Sequence, residues 1–366
     1  MTRIISMGLS LSLAQGVFAP PRIAFLLCAL TFSQMSSAEN AWRLAQGGDI
    51  YTKAMAAYQG GDYSLAAQLF EQAEVETPGT TEALLYAGRS FVRLQLYEKA
   101  EQAFREYVRK NPASSAGCYL LGYVLNRENK PRESLEIYTK AASLAPPTAD
   151  DLKIVALNYV LLNANADAIH WLQRAVQMDP QNKDAWYYLG RAYYTEARLP
   201  DARAAFEKVL ELDPRNAKAE NNIGLIYESS AKPEDALAAY RNAIAWQEGS
   251  GRPSEQPYLN LGNLLITLEQ PAEAIAPLET AVALAGTNPQ CRLRLGTAYL
   301  RLGRLQEAQT QLEESVRLDP EDASAHYQLG RYYKQVHQME AAKAEFAKVA
   351  NIQSRALEKQ KAPVPK

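Results

Sequence analysis

Residues able to carry out chemistry are sparse in this 366-residue chain, which has three histidines and three cysteines. His170, His326 and His337 do not fall at metal-ligand spacing, and no P-loop, dinucleotide-binding Gly-rich loop, CxxC or HExxH occurs. Gly249-Ser250-Gly251 superficially resembles a nucleophile elbow, but that device needs a strand-to-helix turn and no strand is predicted here. Cys118 and Cys291 are far apart in sequence and read as buried thiols rather than a disulfide. What remains is the chemistry of recognition. A guanidinium grips a carboxylate with paired hydrogen bonds, an Asn amide offers both donors and an acceptor to a peptide bond, and a Tyr ring gives flat area with one polar tip. Side chains of these types cluster as Tyr119, Tyr123, Asn126 and Arg127, as Tyr187, Tyr188, Arg191 and Tyr194, and as Asn221, Asn222, Asn260 and Asn263. Arg89, Arg93, Arg294, Arg301 and Arg331 add to them, against the acids Glu82, Asp150, Asp184 and Glu228.

The elements that must position these residues follow from a period of 34. Trp186, Leu189, Gly190, Tyr193, Ala202, Phe206 and Pro214 define a frame whose starts recur at 47, 81, 115, 149, 183 and 217 and, after a four-residue insertion, at 255, 289 and 323. Self-similarity at such a period signals stacked supersecondary units. The eighth position is Gly88, Gly122, Gly190, Gly224, Gly262, Gly296 or Gly330, with Ala54 and Ala156 in the other two units. A mid-helix Gly costs about 1 kcal/mol relative to Ala, so its recurrence demands a steric cause. The small twentieth position, Ala202 in the fifth unit, is expected to supply it by letting two helices cross closely, while the bulky twenty-fourth fills the space between hairpins. Positions 4, 7, 8 and 11 form an amphipathic stripe, and Pro78, Pro112, Pro146, Pro180, Pro214 and Pro320 are expected to stop the second helices. The candidate recognition residues fall at positions 2, 5, 6, 9, 12 and 13, on one face beside that stripe.

This pattern resembles the tetratricopeptide repeat family over about 310 residues. The resemblance implies an all-α, right-handed superhelical solenoid of about nine helical hairpins, each touching only its neighbours, whose first helices line a concave groove. Of the family's binding modes, the carboxylate clamp is half present: Asn260 and Arg294 match, but Asn221, Leu225 and Gln290 stand where Lys, Asn and Lys are expected. The asparagine ladder, in which stacked amides hold an extended backbone, is matched by Asn222 and Asn260 at the sixth position of successive units.

Residues 1–38 hold Arg3, Arg22 and no acid, then the apolar run Ile23 to Leu30, and end in Ser36-Ser37-Ala38. That is the layout of a cleavable secretory signal, with cleavage expected before Glu39. The apolar run is well under the roughly 20 residues of a membrane-spanning helix, so the membrane is expected as a partner only through an uncleaved signal. With 39 basic against 41 acidic residues and a pI of about 6.1, nucleic acid is not an expected ligand.

The expected organisation is a signal peptide at 1–38, a lead-in at 39–46, six repeats at 47–250, an insertion and possible hinge at 251–254, three repeats with a C-terminal capping helix at 255–356, and a tail at 357–366. The expected function is that of an exported, non-catalytic scaffold without cofactors or metals. It would bind another protein or an extended, acidic peptide through Tyr119, Tyr123, Arg127, Tyr187, Arg191, Tyr194, Asn222, Asn260, Asn263 and Arg294. Two alternatives are a periplasmic adaptor of an envelope or exopolysaccharide secretion machine and a regulatory subunit of an enzyme on another chain.

Overall fold

A computed structural model describes residues 50–76, 81–249 and 251–361. The expected signal peptide and lead-in, Ser250 and residues 362–366 lie outside the described residues.

Every described element is an α-helix or a turn. The first helices of the hairpins are α1 (50–59), α3 (Thr81–Arg93), α5 (Ser115–Arg127), α7 (Ala149–Leu161), α9 (Lys183–Thr195), α11 (Ala217–Ser229), α13 (Gln256–Thr267), α15 (Pro289–Arg301) and α17 (Ala323–Gln335). The second helices are α2 (Tyr63–Glu76), α4 (Tyr97–Lys110), α6 (Pro131–Leu144), α8 (Asn165–Met178), α10 (Leu199–Leu212), α12 (Pro233–Gln247), α14 (Pro271–Leu284), α16 (Leu305–Leu318) and α18 (Met339–Lys361). From α3 on, first helices open at the first position of the 34-residue frame, α13 one residue late, and second helices open at the seventeenth throughout. The chain divides into two compact units, one reaching Lys130 and taking in Thr139–Leu144, the other comprising Pro131–Tyr138 and everything from Ala145.

Polar side chains start the first helices. Ser114, Asn182 and Asn216 each accept from the backbone N–H three residues on, and Thr148 and Asp151 form a reciprocal capping box, satisfying donors that a helix start leaves orphaned. Each first helix then ends at the fifteenth repeat position in the left-handed region. In the fifth hairpin Ala197 has φ 56°, its N–H donates to Tyr194 O, and the Arg198 N–H reaches back to Tyr193 O. This is the two-bond Schellman closure, repeated at Gln95, Asn129, Asn163, Ala231, Glu269 and His337, with Gly61 and Gly303 in the other two turns. His337 thus stands in a turn between helices, where the backbone conformation rather than its side chain defines the position.

The recurrent eighth-position glycine has a different neighbour from the one expected. A Cβ built on Gly190 would lie 2.9 Å from the Phe206 ring, and the side chains of Phe104, Tyr240, Leu278, Leu312 and Phe346 sit in the same way over Gly88, Gly224, Gly262, Gly296 and Gly330. The twenty-fourth residue therefore fills the glycine's space within its own hairpin. The twentieth, Ala202 in this hairpin, is fully buried but is not the group nearest the missing Cβ. A bulky side chain can approach a backbone that has no Cβ, and it buries far more area than the alanine could.

The insertion is held at its base. The Gln247 side-chain amide donates to Ser254 O at 2.8 Å and accepts from Ser254 N–H at 2.9 Å, so one buried side chain pairs with both backbone groups of the residue that leads into α13.

Candidate functional site

In the second unit successive first helices are stitched together by polar contacts about one repeat apart. Asn182 Nδ2 donates to Asp150 Oδ1 at 3.0 Å, Asn222 Nδ2 lies 3.4 Å from the Tyr187 hydroxyl, and the Tyr194 hydroxyl is 3.0 Å from Ser229 Oγ. Farther along, Asn260 Nδ2 donates to Asn221 Oδ1 at 2.9 Å and Gln290 donates to Asp322. Arg301 donates to Ile266 O at 2.8 Å and pairs with Glu269. These links fix the lateral spacing of the first helices, and with it the face that carries the candidate residues.

On that face Tyr187 is half-buried, edge-on to Phe206 and Tyr188. Tyr194 is half-buried and Arg191 exposed. Arg294 on α15 is half-buried, and among the described residues no carboxylate pairs with Arg191 or Arg294. Asn222 spends one donor on its own helix, to Lys218 O at 2.7 Å. Asn260 accepts from Gln256 at 3.0 Å while donating to Asn221, so the hydrogen-bonded pair of amides is Asn221 with Asn260 rather than Asn222 with Asn260. The Asn263 carbonyl accepts from the Thr267 hydroxyl. The remaining candidates belong to the first unit: Tyr119 and Tyr123 are half-buried on α5, and the exposed Arg127 guanidinium lies 5.2 Å from the Tyr97 ring centroid.

Tyrosines that sequence reasoning assigned only to packing do more than pack. Tyr193 accepts from Gln173, Tyr299 donates to Glu279 at 2.6 Å, and Tyr333 donates to Glu313. In each case an eleventh-position hydroxyl meets the twenty-fifth position of the preceding hairpin. The constant separation of twenty was the available signal. Arg198 and Arg304 lie 4.4 Å from the Tyr193 and Tyr299 ring centroids while pairing with Asp201 and Glu307. Burial first, and then the Glu279 carboxylate, push the Tyr299 hydroxyl up to about 12.

His326 lies on the core side of α17. Its ring is 3% exposed, with Nδ1 2.5 Å from Glu345 Oε2 and Nε2 3.0 Å from Pro320 O. Lys348 holds the other carboxylate oxygen at 2.8 Å. Burial of Glu345 opposes its ionisation, but Lys348 and His326 outweigh that and hold its carboxyl below the usual range. Among the described residues no group of three potential metal ligands occurs, and no helix is long and apolar enough to cross a membrane.

Sequence patterns described as tetratricopeptide repeat match residues 51–115, 88–149, 156–217, 196–253, 265–326 and 323–355. A 37-residue stretch is 51% identical to the cytochrome c-type biogenesis protein CycH of Pseudomonas aeruginosa, covering 10% of this chain and 9% of that protein. A tetratricopeptide repeat protein from Parabacteroides merdae superposes with a TM-score of 0.56 at 19% identity, over 69% of this chain and 98% of the other. The pilF protein of P. aeruginosa gives 0.51 at 21% identity, over 58% and 95%. At these identities the two structures bear on the fold alone.

Proposed function

The chain belongs to the tetratricopeptide repeat family, and from that premise we propose that it is an exported, non-catalytic scaffold that holds an extended, acidic segment of another protein along the first helices of its second unit. One observation carries the reading: where the guanidinium charge is neutralised and where it is not. Arg198, Arg203, Arg304 and Arg317 each meet a carboxylate three or four residues away, whereas Arg191 and Arg294 on first helices have no such partner among the described residues. Carboxylates of a bound chain would supply one. Tyr187 and Tyr194 would contribute flat contact area at low entropic cost, and the amides of Asn222 and Asn260 would hold the ligand backbone. Export rests on the acid-free, arginine-flanked segment ending at Ala38.

Panning a random-peptide display library against the full chain supplies a ligand with which to test this. Enriched sequences rich in Asp and Glu, bound at least ten times more weakly when Tyr187 and Arg191 are both truncated to Ala, are the expected result. Peptides without acidic residues, or peptides indifferent to that double variant, would remove the groove from consideration.

A further inference from the structure

We propose that Glu228 of α11 sets the register of the bound segment by pairing with a basic residue of it, so that the ligand is an extended chain in which an acidic and a basic residue stand about three apart. This rests on the reading that an acidic segment lies along the first helices of the second unit. It also accounts for a charge on that face which a uniformly acidic segment would meet unfavourably.

Four of the five acids on those first helices are already answered within the chain. Asp150 lies 2.6 Å and Asp184 4.0 Å from Lys153 Nζ, Asp151 closes the capping box of α7, and the buried Glu220 accepts from Asn242. Glu228 is the exception. It is half-buried, its Oε2 accepts from the Tyr240 hydroxyl at 2.8 Å, and among the described residues no cation pairs with it and no donor reaches Oε1. Tyr240 is fully buried in the same hairpin. Burial first, and then the Glu228 carboxylate, push that phenol well above its usual range, so it remains a donor at neutral pH. A hydroxyl fixes where a carboxylate stands, but it does not cancel the charge.

Glu228 stands beside the candidate residues. Its neighbour Ser229 is 3.0 Å from the Tyr194 hydroxyl, and Tyr194 lies one turn along α9 from Arg191. The charges left without a partner therefore include a cation on α9, an anion on α11 and, with Arg294, a cation on α15. Like charges brought together across an interface repel, and that repulsion selects against the wrong ligand. Packed helices lie about 8–10 Å apart and the step from the ninth to the twelfth repeat position adds about 4.5 Å along the axis, which separates Arg191 from Glu228 by about 10 Å at the backbone. An extended chain advances about 3.3 Å per residue, hence the spacing of about three.

The probe is a synthetic copy of the peptide most enriched when the random-peptide display library is panned against the full chain, together with a second copy in which its basic residue is replaced by Ala. Enriched sequences are expected to carry Lys or Arg about three residues from an Asp or Glu. Loss of that basic residue should weaken binding to the wild type about fivefold, the worth of one partly exposed ion pair, and leave binding to Glu228→Gln unchanged. Glu228→Gln should melt with the wild type, because its side-chain oxygen still accepts from Tyr240. The spacing within the enriched sequences is read on the wild type and does not depend on that variant. Acidic peptides that need Tyr187 and Arg191 but carry no basic residue at a fixed distance would overturn the role of Glu228 and leave the acidic-segment reading standing. Equal losses on the wild type and Glu228→Gln would do the same. Peptides indifferent to the Tyr187 and Arg191 double variant would overturn both.

Discussion

Phe206 covers Gly190, with the ring 2.9 Å from where a Cβ would stand. Because Phe206 is itself fully buried, the ring has no free space to retreat into. Gly190→Leu should then cost about 1–3 kcal/mol or more, the usual penalty of overpacking, read as a lower urea midpoint with unchanged slope. Tyr194→Leu, on the neighbouring face, should cost far less. Equal midpoints for the two variants would show that the ring is not confined.

Tyr299 tests the links between hairpins. Removing its hydroxyl with Tyr299→Phe takes a donor from the Glu279 carboxylate, which is exposed and turns to water instead, and should cost about 0.5–1.5 kcal/mol. In a double-mutant cycle with Glu279→Gln the two losses should fall short of additivity, because each removes the same bond. Full additivity in thermal melts would mean that the hydroxyl and carboxylate act independently.

A non-glycine residue held at positive φ is strained, and glycine relieves the strain. Ala231, at φ 55°, is the simplest case, having no side chain to lose. Relief of the strain exceeds the extra freedom of the unfolded glycine, so Ala231→Gly should stabilise the protein by about 0.5–1 kcal/mol. Calorimetry would register a higher Tm.

The buried Glu345 ties stability to pH. A carboxyl held below its ordinary range in the folded state contributes stability that is complete above the unfolded value and is lost as pH falls through the folded one. The C-terminal hairpin should therefore loosen on acidification below about pH 4.5, the reference value of the group. Hydrogen exchange of α17 and α18 amides would report it. Glu345→Gln should flatten that acid limb while leaving the Nδ1 of His326 a weaker partner, at a cost of about 1–3 kcal/mol at neutral pH.

The helix starts and the repeat register were legible because they rest on side chains that recur: Gly190, Phe206 and their counterparts reappear every 34 residues. The turn geometry was not, since Gln95, Ala197, Glu269 and His337 share a backbone conformation but no side-chain chemistry. The neighbour of Gly190 was misjudged because Ala202 and Phe206 lie one helical turn apart on the same face, and spacing alone cannot tell which of them covers the glycine. Among the candidate residues, Tyr187 and Asn222 sit 35 apart and could be paired from the frame. Asn221 and Asn260 are 39 apart, because the insertion stretches that interval, and only the folded chain shows the amides meeting.

The bracket that Gln247 places on Ser254 separates loop length from hairpin placement. As long as those two residues meet, the path between them does not set where α13 begins, and chain may be added or trimmed around Gly251 and Arg252 without displacing the seventh hairpin. The segment is accordingly a port: a peptide tag or a small folded domain spliced there would ride outside the array, with its ends already brought together by the host.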